Sequence, residues 1–397
     1  SIGQYWLSYI DALIKLGKVD DAKSLFNQAI DKGAKGEEFE HLEKRLSELS
    51  VSETQSQDPD PPSEQLQPII NLYQQGQLHQ ALSKISQMLE RFPNSAILYN
   101  IAGTSNVGLM QLDMAINSYK QALKIRPNYA EVYRNMGDAL KLSGDLEAAI
   151  DSYKKAVLIK PEFAVAYNSM GVALKDKGDL KEAIDCYRQA ISLMADYAHA
   201  YYNLGNALKD EGDLEVAIDS YKQAVIAEPE YADAYNNMGN ALQDKGEVDA
   251  AIDSYKKALK IKPDYAHAYK NMGNALINKG ELEAAIESYE QALKIQPDYA
   301  EAYNNMGGAL EKQDKLKEAI DLYKSALCQL PQVYEHPNAF YRGQMYQKIW
   351  DYDGSSVCNK QYSSQSGQDK IIHEVFFKDY SSGFFIELGA YDGITGS

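Results

Sequence analysis

Asparagine recurs along this chain at a fixed spacing that no catalytic constellation requires. Asn135, Asn203, Asn237, Asn271 and Asn305 stand in one register, with Ser169 in the same series and 34 residues between successive members. Asn206, Asn240 and Asn274 follow three residues behind, and Asn168, Asn236 and Asn304 stand one residue ahead. Tyr202 and Lys270 occupy that leading position in two further copies. A carboxamide neither ionises nor attacks, but it offers two N–H donors and an acceptor oxygen. Its chemistry is therefore recognition, and a row of such groups suits bidentate bonding to the backbone of an extended peptide.

Other chemistries find little material. The three cysteines (Cys186, Cys328, Cys358) are odd in number and far apart, and the six histidines are scattered without metal-ligand spacing. Neither a disulfide framework nor a metal site is expected, and a reducing compartment, the cytoplasm, fits this usage. The net charge of -17 argues against nucleic acid and anionic lipid, whose recognition needs clustered Lys and Arg. Solubility of a long helical surface explains that charge. No apolar run approaches the ~20 residues that span a bilayer. The start, Ser1-Ile2-Gly3-Gln4-Tyr5, lacks a basic leader and an initiator Met. It is expected of a chain that begins inside a longer reading frame or after processing.

The elements that must hold these asparagines are read from the same period. Units starting at Ala130, Ala164, Ala198, Ala232, Ala266 and Ala300 repeat every 34 residues. A worn copy starts at Ala96, and a more degenerate one covers Pro62 to Ser95. In the unit from Ala130, apolar or small residues fall at Tyr133, Met136, Gly137 and Leu140. A second set follows at Leu146, Ala149, Ile150, Tyr153, Ala156 and Val157. Each set marks one face of an amphipathic helix. Gly144 supplies a stop between them, Asp145 can cap the second helix, and Pro161 ends it. A lone hairpin cannot bury both stripes, so neighbours must stack.

Counted from Ala130, the unit carries Tyr at position 4, Met-Gly at 7 and 8, and Leu at 11. Gly follows at 15, Ala at 20, Tyr at 24, Ala at 27 and Pro at 32. This pattern closely resembles the tetratricopeptide repeat. Position 8 is Gly137, Gly171, Gly205, Gly239, Gly273 and Gly307, and position 20 is Ala in the same six units. Ala195 stands where Pro is expected, and Leu142-Ser143 and Gln313-Asp314 vary the turn. The resemblance implies an all-α, right-handed superhelical solenoid whose first helices line a concave groove. Helical geometry turns positions 4, 7, 8 and 11 to the core and leaves 2, 5, 6, 9, 12 and 13 on the groove side.

Candidate groove residues are therefore Asn135, Asn168, Tyr202, Asn203, Asn206, Asn236, Asn237, Asn240, Lys270, Asn271, Asn274, Asn304 and Asn305. The rows resemble the asparagine ladder of O-linked N-acetylglucosamine transferase. Asn at position 6 also suits packing between repeats, and both readings stand for it. Positions 5 and 9 are expected to face the groove. Except for Tyr202, the tyrosines read mostly as core. Lys270, Asn274 and Asn305 match the start of the carboxylate clamp of chaperone-binding repeats, whose remaining cations have no counterpart here. Asp210 and Asp244 add negative charge, which favours basic or neutral peptides over acidic ones.

The flanks differ. Residues 1–50 read as one tetratricopeptide-type hairpin, with Trp6, Leu13, Gly17, Ala22, Phe26 and Ala29 at matching offsets, plus a charged helix. Residues 51–63 form a polar, Pro-rich stretch expected to be an exposed linker to the array of 62–333. Residues 334–364 carry a capping helix and connector, with Phe340, Met345, Ile349 and Trp350 at helical spacing. In 365–397, Ser366-Gly367-Gln368-Asp369, a short helix and the run from Gly383 to Gly393 read as a strand entering a glycine turn. This combination resembles the entry to a FkbM-type methyltransferase, implying a truncated Rossmann-like α/β segment. In that family the matching residues Glu387, Gly389, Asp392 and Gly393 line the cofactor site.

The expected function is a scaffold that binds extended protein segments, with no catalytic residues and no cofactor in this chain. The resemblance implies S-adenosylmethionine for a complete parent enzyme, with the array as its recruiting module. A repeat-containing glycosyltransferase and a stand-alone assembly scaffold are the alternatives. The partner is a protein or peptide rather than nucleic acid or membrane, and self-association is left open.

Overall fold

The computed structural model describes residues 60–329 and 338–353, together with residues 6, 9, 10, 13, 14, 19–33, 36, 39–44 and 46. The chain divides into two compact units between Ile159 and Lys160. In the first lie α1 (Val19–Asp31), α2 (Ser63–Gln74), α3 (Leu78–Arg91), α4 (Ala96–Gly108), α5 (Leu112–Ile125), α6 (Ala130–Leu142) and α7 (Leu146–Ile159). The second holds α8 (Ala164–Lys177), α9 (Leu180–Leu193), α10 (Ala198–Glu211), α11 (Leu214–Ala227), α12 (Ala232–Lys245) and α13 (Val248–Ile261). It continues with α14 (Ala266–Lys279), α15 (Leu282–Ile295), α16 (Ala300–Lys312), α17 (Leu316–Gln329) and α18 (Asn338–Asp353). No strand occurs among the described residues, and the expected α/β segment at 365–397 lies outside them.

From α2 onward, within each unit, a helix packs on its hairpin partner and on the helix that follows. First helices also touch first helices: α4 with α6 in one unit, and α8, α10, α12, α14 and α16 in succession in the other. The sequence makes this close stacking feasible through one contact. The position-24 tyrosines, Tyr153, Tyr187, Tyr221, Tyr255 and Tyr289, are at most 1% exposed. Each ring packs against the position-8 glycine of its own hairpin, where an added Cβ would fall 2.5–2.7 Å from the ring edge. Glycine is required there by proximity to the ring. Alanine at positions 20 and 27 is fully buried in the same way, letting the backbones approach.

The turns follow a left-handed C-cap. Gly144, Gly178, Gly212, Gly246 and Gly280 have φ between +84° and +98°. In this motif the Gly178 N–H bonds to Lys175 O, and the Asp179 N–H to Leu174 O. Met110 (φ 57°) and Asp314 (φ 59°) take the position where the other repeats have glycine. Asp145 caps its helix as expected, accepting from the Ala148 N–H at 3.1 Å. Helix α9 ends in the same register as α7 although Ala195 replaces proline, so the stop does not depend on Pro alone.

At the N-terminal side, Ile10, Ala22, Phe26, Ala29, Phe39, Leu42 and Leu46 form a separate buried cluster. The expected linker behaves differently at its end. Asp60 accepts from the Ser95 hydroxyl at 2.6 Å and the Ile97 N–H at 3.2 Å, and pairs with Arg126 at 2.6 Å. Its side chain is only 12% exposed, so this residue is a structural anchor at the start of α4 and departs from the exposed linker expected. Helix α18 packs on α16 and α17 and buries Met345 and Ile349 completely, while Phe340 stays exposed. Among the described residues it is the last helix to cover the stack. No described helix is long and apolar enough to cross a membrane.

Candidate functional site

The row of first helices places the candidate asparagines in two bonded series. At position 6, each amide nitrogen reaches back to the preceding repeat. Asn135 Nδ2 donates to Asn100 Oδ1 at 3.1 Å, and Asn203 Nδ2 to Asn168 Oδ1 at 3.0 Å. Asn271 Nδ2 donates to Asn236 Oδ1 at 3.0 Å. Asn237 Nδ2 bonds to the Tyr202 hydroxyl at 3.0 Å and Asn206 Oδ1 at 2.9 Å, and Asn305 Nδ2 to Asn274 Oδ1 at 2.9 Å. The donor half of this position therefore works in packing between repeats. The acceptor half differs: Oδ1 of Asn203, Asn271 and Asn305 receives no hydrogen bond from a described residue.

Position 9 is the mirror image. Asn206, Asn240 and Asn274 each accept from the position-24 tyrosine of the same hairpin, at 2.7, 2.8 and 2.7 Å. The carbonyl oxygen is thereby held toward the core, and the NH2 group is left without a described partner. Position 6 thus presents acceptors at Asn203, Asn271 and Asn305, the Asn237 oxygen being taken by Asn236, and position 9 presents donors. The tyrosine that orients position 9 belongs to this device although it reads as core by composition. Its signal was the fixed spacing of 15 residues between positions 9 and 24.

The position-5 residues do not behave as one class. Asn236 is 5% exposed, and both ends of its amide are bonded, Nδ2 donating to Asn237 Oδ1 and Oδ1 accepting from Asn271. It was expected to face the groove, and the crowding of Asn237 and Asn271 around it accounts for the difference. Asn168 is half-buried with its oxygen committed to Asn203, whereas Asn304 is half-buried and makes no hydrogen bond with a described residue. Tyr202 packs its ring 5.0 Å from that of Tyr231. Lys270 is engaged by Glu301 at 3.0 Å, which removes the cation that a carboxylate clamp would need.

Charge is also distributed otherwise than the sequence implied. Lys175 pairs with Asp210 at 2.9 Å, and Lys209 with Asp244 at 3.2 Å. Each bridge runs from position 12 of one repeat to position 13 of the next, so these two aspartates are neutralised by neighbours. Near α18, Asn274, Asn304, Asn305, Lys312, Gln344 and Gln347 are among the residues lining a cleft of about 590 Å3. No group of side chains suited to a metal ion occurs among the described residues. Glu387, Gly389, Asp392 and Gly393 lie outside the described residues.

Comparison with known proteins gives a consistent picture. The TPR repeat family model matches six times, at 111–144, 137–178, 173–212, 205–246, 239–280 and 273–314, which together cover just over half of the chain. A PPR repeat model matches 5–33, where a tetratricopeptide-type hairpin was expected. Neither family model reaches 365–397. No curated protein matches the chain. Among solved structures, that of MamA is 32% identical over 42% of this chain and 96% of its own, with a TM-score of 0.40. YrrB, described as a TPR protein with an unusual peptide-binding site, is 26% identical over 47% of this chain and 97% of its own, with a TM-score of 0.41. The Cut9–Hcn1 hetero-tetramer structure of APC/C covers 77% of this chain and 55% of its own at 16% identity, with a TM-score of 0.50, a likeness of fold alone. On the family match over residues 111–314, and on the hairpins found there, the chain belongs to the TPR repeat family.

Proposed function

We propose that the chain is a protein-interaction scaffold that holds an extended segment of a partner against the row of first helices. The observation that carries this reading is the split use of the carboxamides. One half of each side chain is fixed by protein, and the other half is presented: Oδ1 at Asn203, Asn271 and Asn305, and NH2 at Asn206, Asn240 and Asn274. An extended peptide carries N–H and C=O groups in alternation, and pre-oriented partners for both lower the entropic cost of ordering it. Backbone bonding of this kind gives affinity with little dependence on ligand side chains. The FkbM-type resemblance at 365–397 rests on residues outside those described, and the scaffold reading stands without it.

The test must separate binding from packing, because alanine at position 9 would also orphan a tyrosine hydroxyl. Aspartate avoids this, since Asp138 already occupies position 9 in one repeat and accepts from Tyr153 at 2.7 Å. The triple variant Asn206→Asp, Asn240→Asp, Asn274→Asp keeps the oxygen and removes the donor. Peptides selected on the wild-type chain from a displayed random library should lose at least about tenfold in affinity for it, as expected for charge-bearing groups left mismatched. The melting temperature should change little. Unchanged affinity in a folded triple variant would refute the reading.

A further inference from the structure

The asparagine rows leave one group of side chains without a role, where the repeats from Ala198 and Ala232 meet. The Tyr231 ring lies 5.0 Å from Tyr202 and 5.2 Å from His199, centre to centre. Two carboxylates border it. Glu228 comes to 4.0 Å from His199 Nδ1, and Asp233 lies beside the Tyr265 phenol, which burial first and then this carboxylate push up. Burial first, then the neighbouring Tyr202, Asp233 and Glu228, push the Tyr231 phenol up. Among the described residues no lysine or arginine pairs with Asp233 or Glu228. Lys262, which lies 4.8 Å from the centre of the Tyr265 ring, makes no ion pair with Asp233.

Elsewhere the same unit fills this arrangement from its own chain. Tyr265, His267 and Tyr299 repeat the spacing of Tyr197, His199 and Tyr231, with ring distances of 6.4 and 5.2 Å in both sets. In that second set, Lys270 replaces Tyr202 at position 5. Its ammonium sits 3.0 Å from Glu301, the counterpart of Asp233. Position 31 gives a second internal precedent: Lys160 covers the Phe163 ring and Lys262 the Tyr265 ring, each at 4.8 Å. Ahead of Tyr231 that position is Glu228, an acid in place of the covering cation.

We propose that the aromatic site of Tyr202 and Tyr231, between Asp233 and Glu228, receives an arginine or lysine side chain of the segment bound along the first helices. This deepens the scaffold reading and rests on it. Ring faces attract a cation through their quadrupole, and two unneutralised carboxylates beside them give the complementary charge. Where the bound segment would supply the cation, the protein has none. Where Lys270 supplies it, the carboxylate is already occupied. The site therefore adds one side-chain requirement to a groove that otherwise reads backbone.

A displayed library of random twelve-residue peptides selected on the full chain provides the probe. Binders should share a basic residue at one position. Resynthesis of the best binder with citrulline for arginine should weaken it by about tenfold, the scale of one cation–ring contact with a charge pair. Asp233→Asn should shrink the difference between the two peptides severalfold. Tyr202→Lys, which gives this site the internal cation found in the second set, should abolish it, and both variants should melt close to wild type. If binders show no basic position, or the citrulline peptide binds wild type equally well, the subsite is wrong and the groove reading survives. If selection yields no binders, or binders indifferent to the position-9 aspartate triple, the groove reading fails and the subsite with it.

Discussion

Two adjacent repeats differ at position 9 and show what that residue does. In the repeat from Ala198, Asn206 accepts from the Tyr221 hydroxyl at 2.7 Å and from Asn237 at 2.9 Å. In the repeat from Ala164, position 9 is Val172, and the fully buried Tyr187 hydroxyl has no hydrogen-bond partner. The ring packs on Gly171 and Gly205 alike, so the tyrosine earns its place through the glycine contact, and the hydroxyl bond is an addition. Asparagine at position 9 thus has two functions at once: it satisfies a buried phenol and aims an amide outward. Where valine stands, both are lost.

The comparison can be attacked in order of effect. Gly205→Ala and Gly171→Ala each drive a Cβ into a ring, and overpacking of this kind costs about 1–3 kcal/mol. Chemical denaturation should find similar losses in both, because the glycine contact is common to the two repeats. Tyr221→Phe should cost about 1 kcal/mol through the lost hydrogen bond, whereas Tyr187→Phe should be neutral or stabilising, having only an unsatisfied hydroxyl to lose. Equal losses for the two phenylalanine variants would break the comparison. Val172→Asn should gain up to about 1 kcal/mol in wild type and nothing in a Tyr187→Phe background, a double-mutant cycle that isolates the restored bond. The smallest effect is expected at the turn: Asp314→Gly should raise stability by a few tenths to about 1 kcal/mol, since its φ of 59° suits glycine.

Alkali tests a property that the tyrosines share. Burial, opposed by a hydrogen bond with Thr104, pushes the Tyr119 phenol from 10.0 up to about 12, and Tyr187, Tyr221, Tyr255 and Tyr289 are raised for the same leading reason. A raised folded value means stability that is complete below pH 10. It declines above that as the unfolded chain ionises first, and for Tyr119 the loss is complete once the pH passes about 12. Circular dichroism followed from pH 9 to 12 should show a falling melting temperature beginning near pH 10.

The hairpins, their turns and their close contacts were legible because each depends on residues within one repeat. Gly137 and Tyr153 belong to the same 34-residue unit, and so do Gly144 and Asp145. What escaped the sequence depends on how neighbouring first helices lie against each other. Whether Asn237 meets position 5 or position 9 of the preceding repeat is decided by side-chain geometry across that contact, and so is the burial of Asn236. Lys175 and Asp210 stand 35 residues apart, with no local signal to join them. Asp60 is a further case, since a Pro-rich composition carries no hint that Ser95 and Arg126 will gather round one carboxylate.

The links between neighbouring repeats also bear on how such a chain can change length. They run from position 6 to position 5 or 9 of the repeat before, a separation of 35 or 31 residues. Excision of one whole period, residues 198–231, would bring Asn237 into register behind Asn168. That is the partner Asn203 has now, so the severed bond would be remade by the next copy. A loss of 33 or 35 residues would instead leave the amide at the new joint facing the wrong neighbour. Duplication and deletion in whole periods are therefore the changes of length that this architecture can absorb, and a gene encoding it can lengthen or shorten the binding row without inventing a new joint.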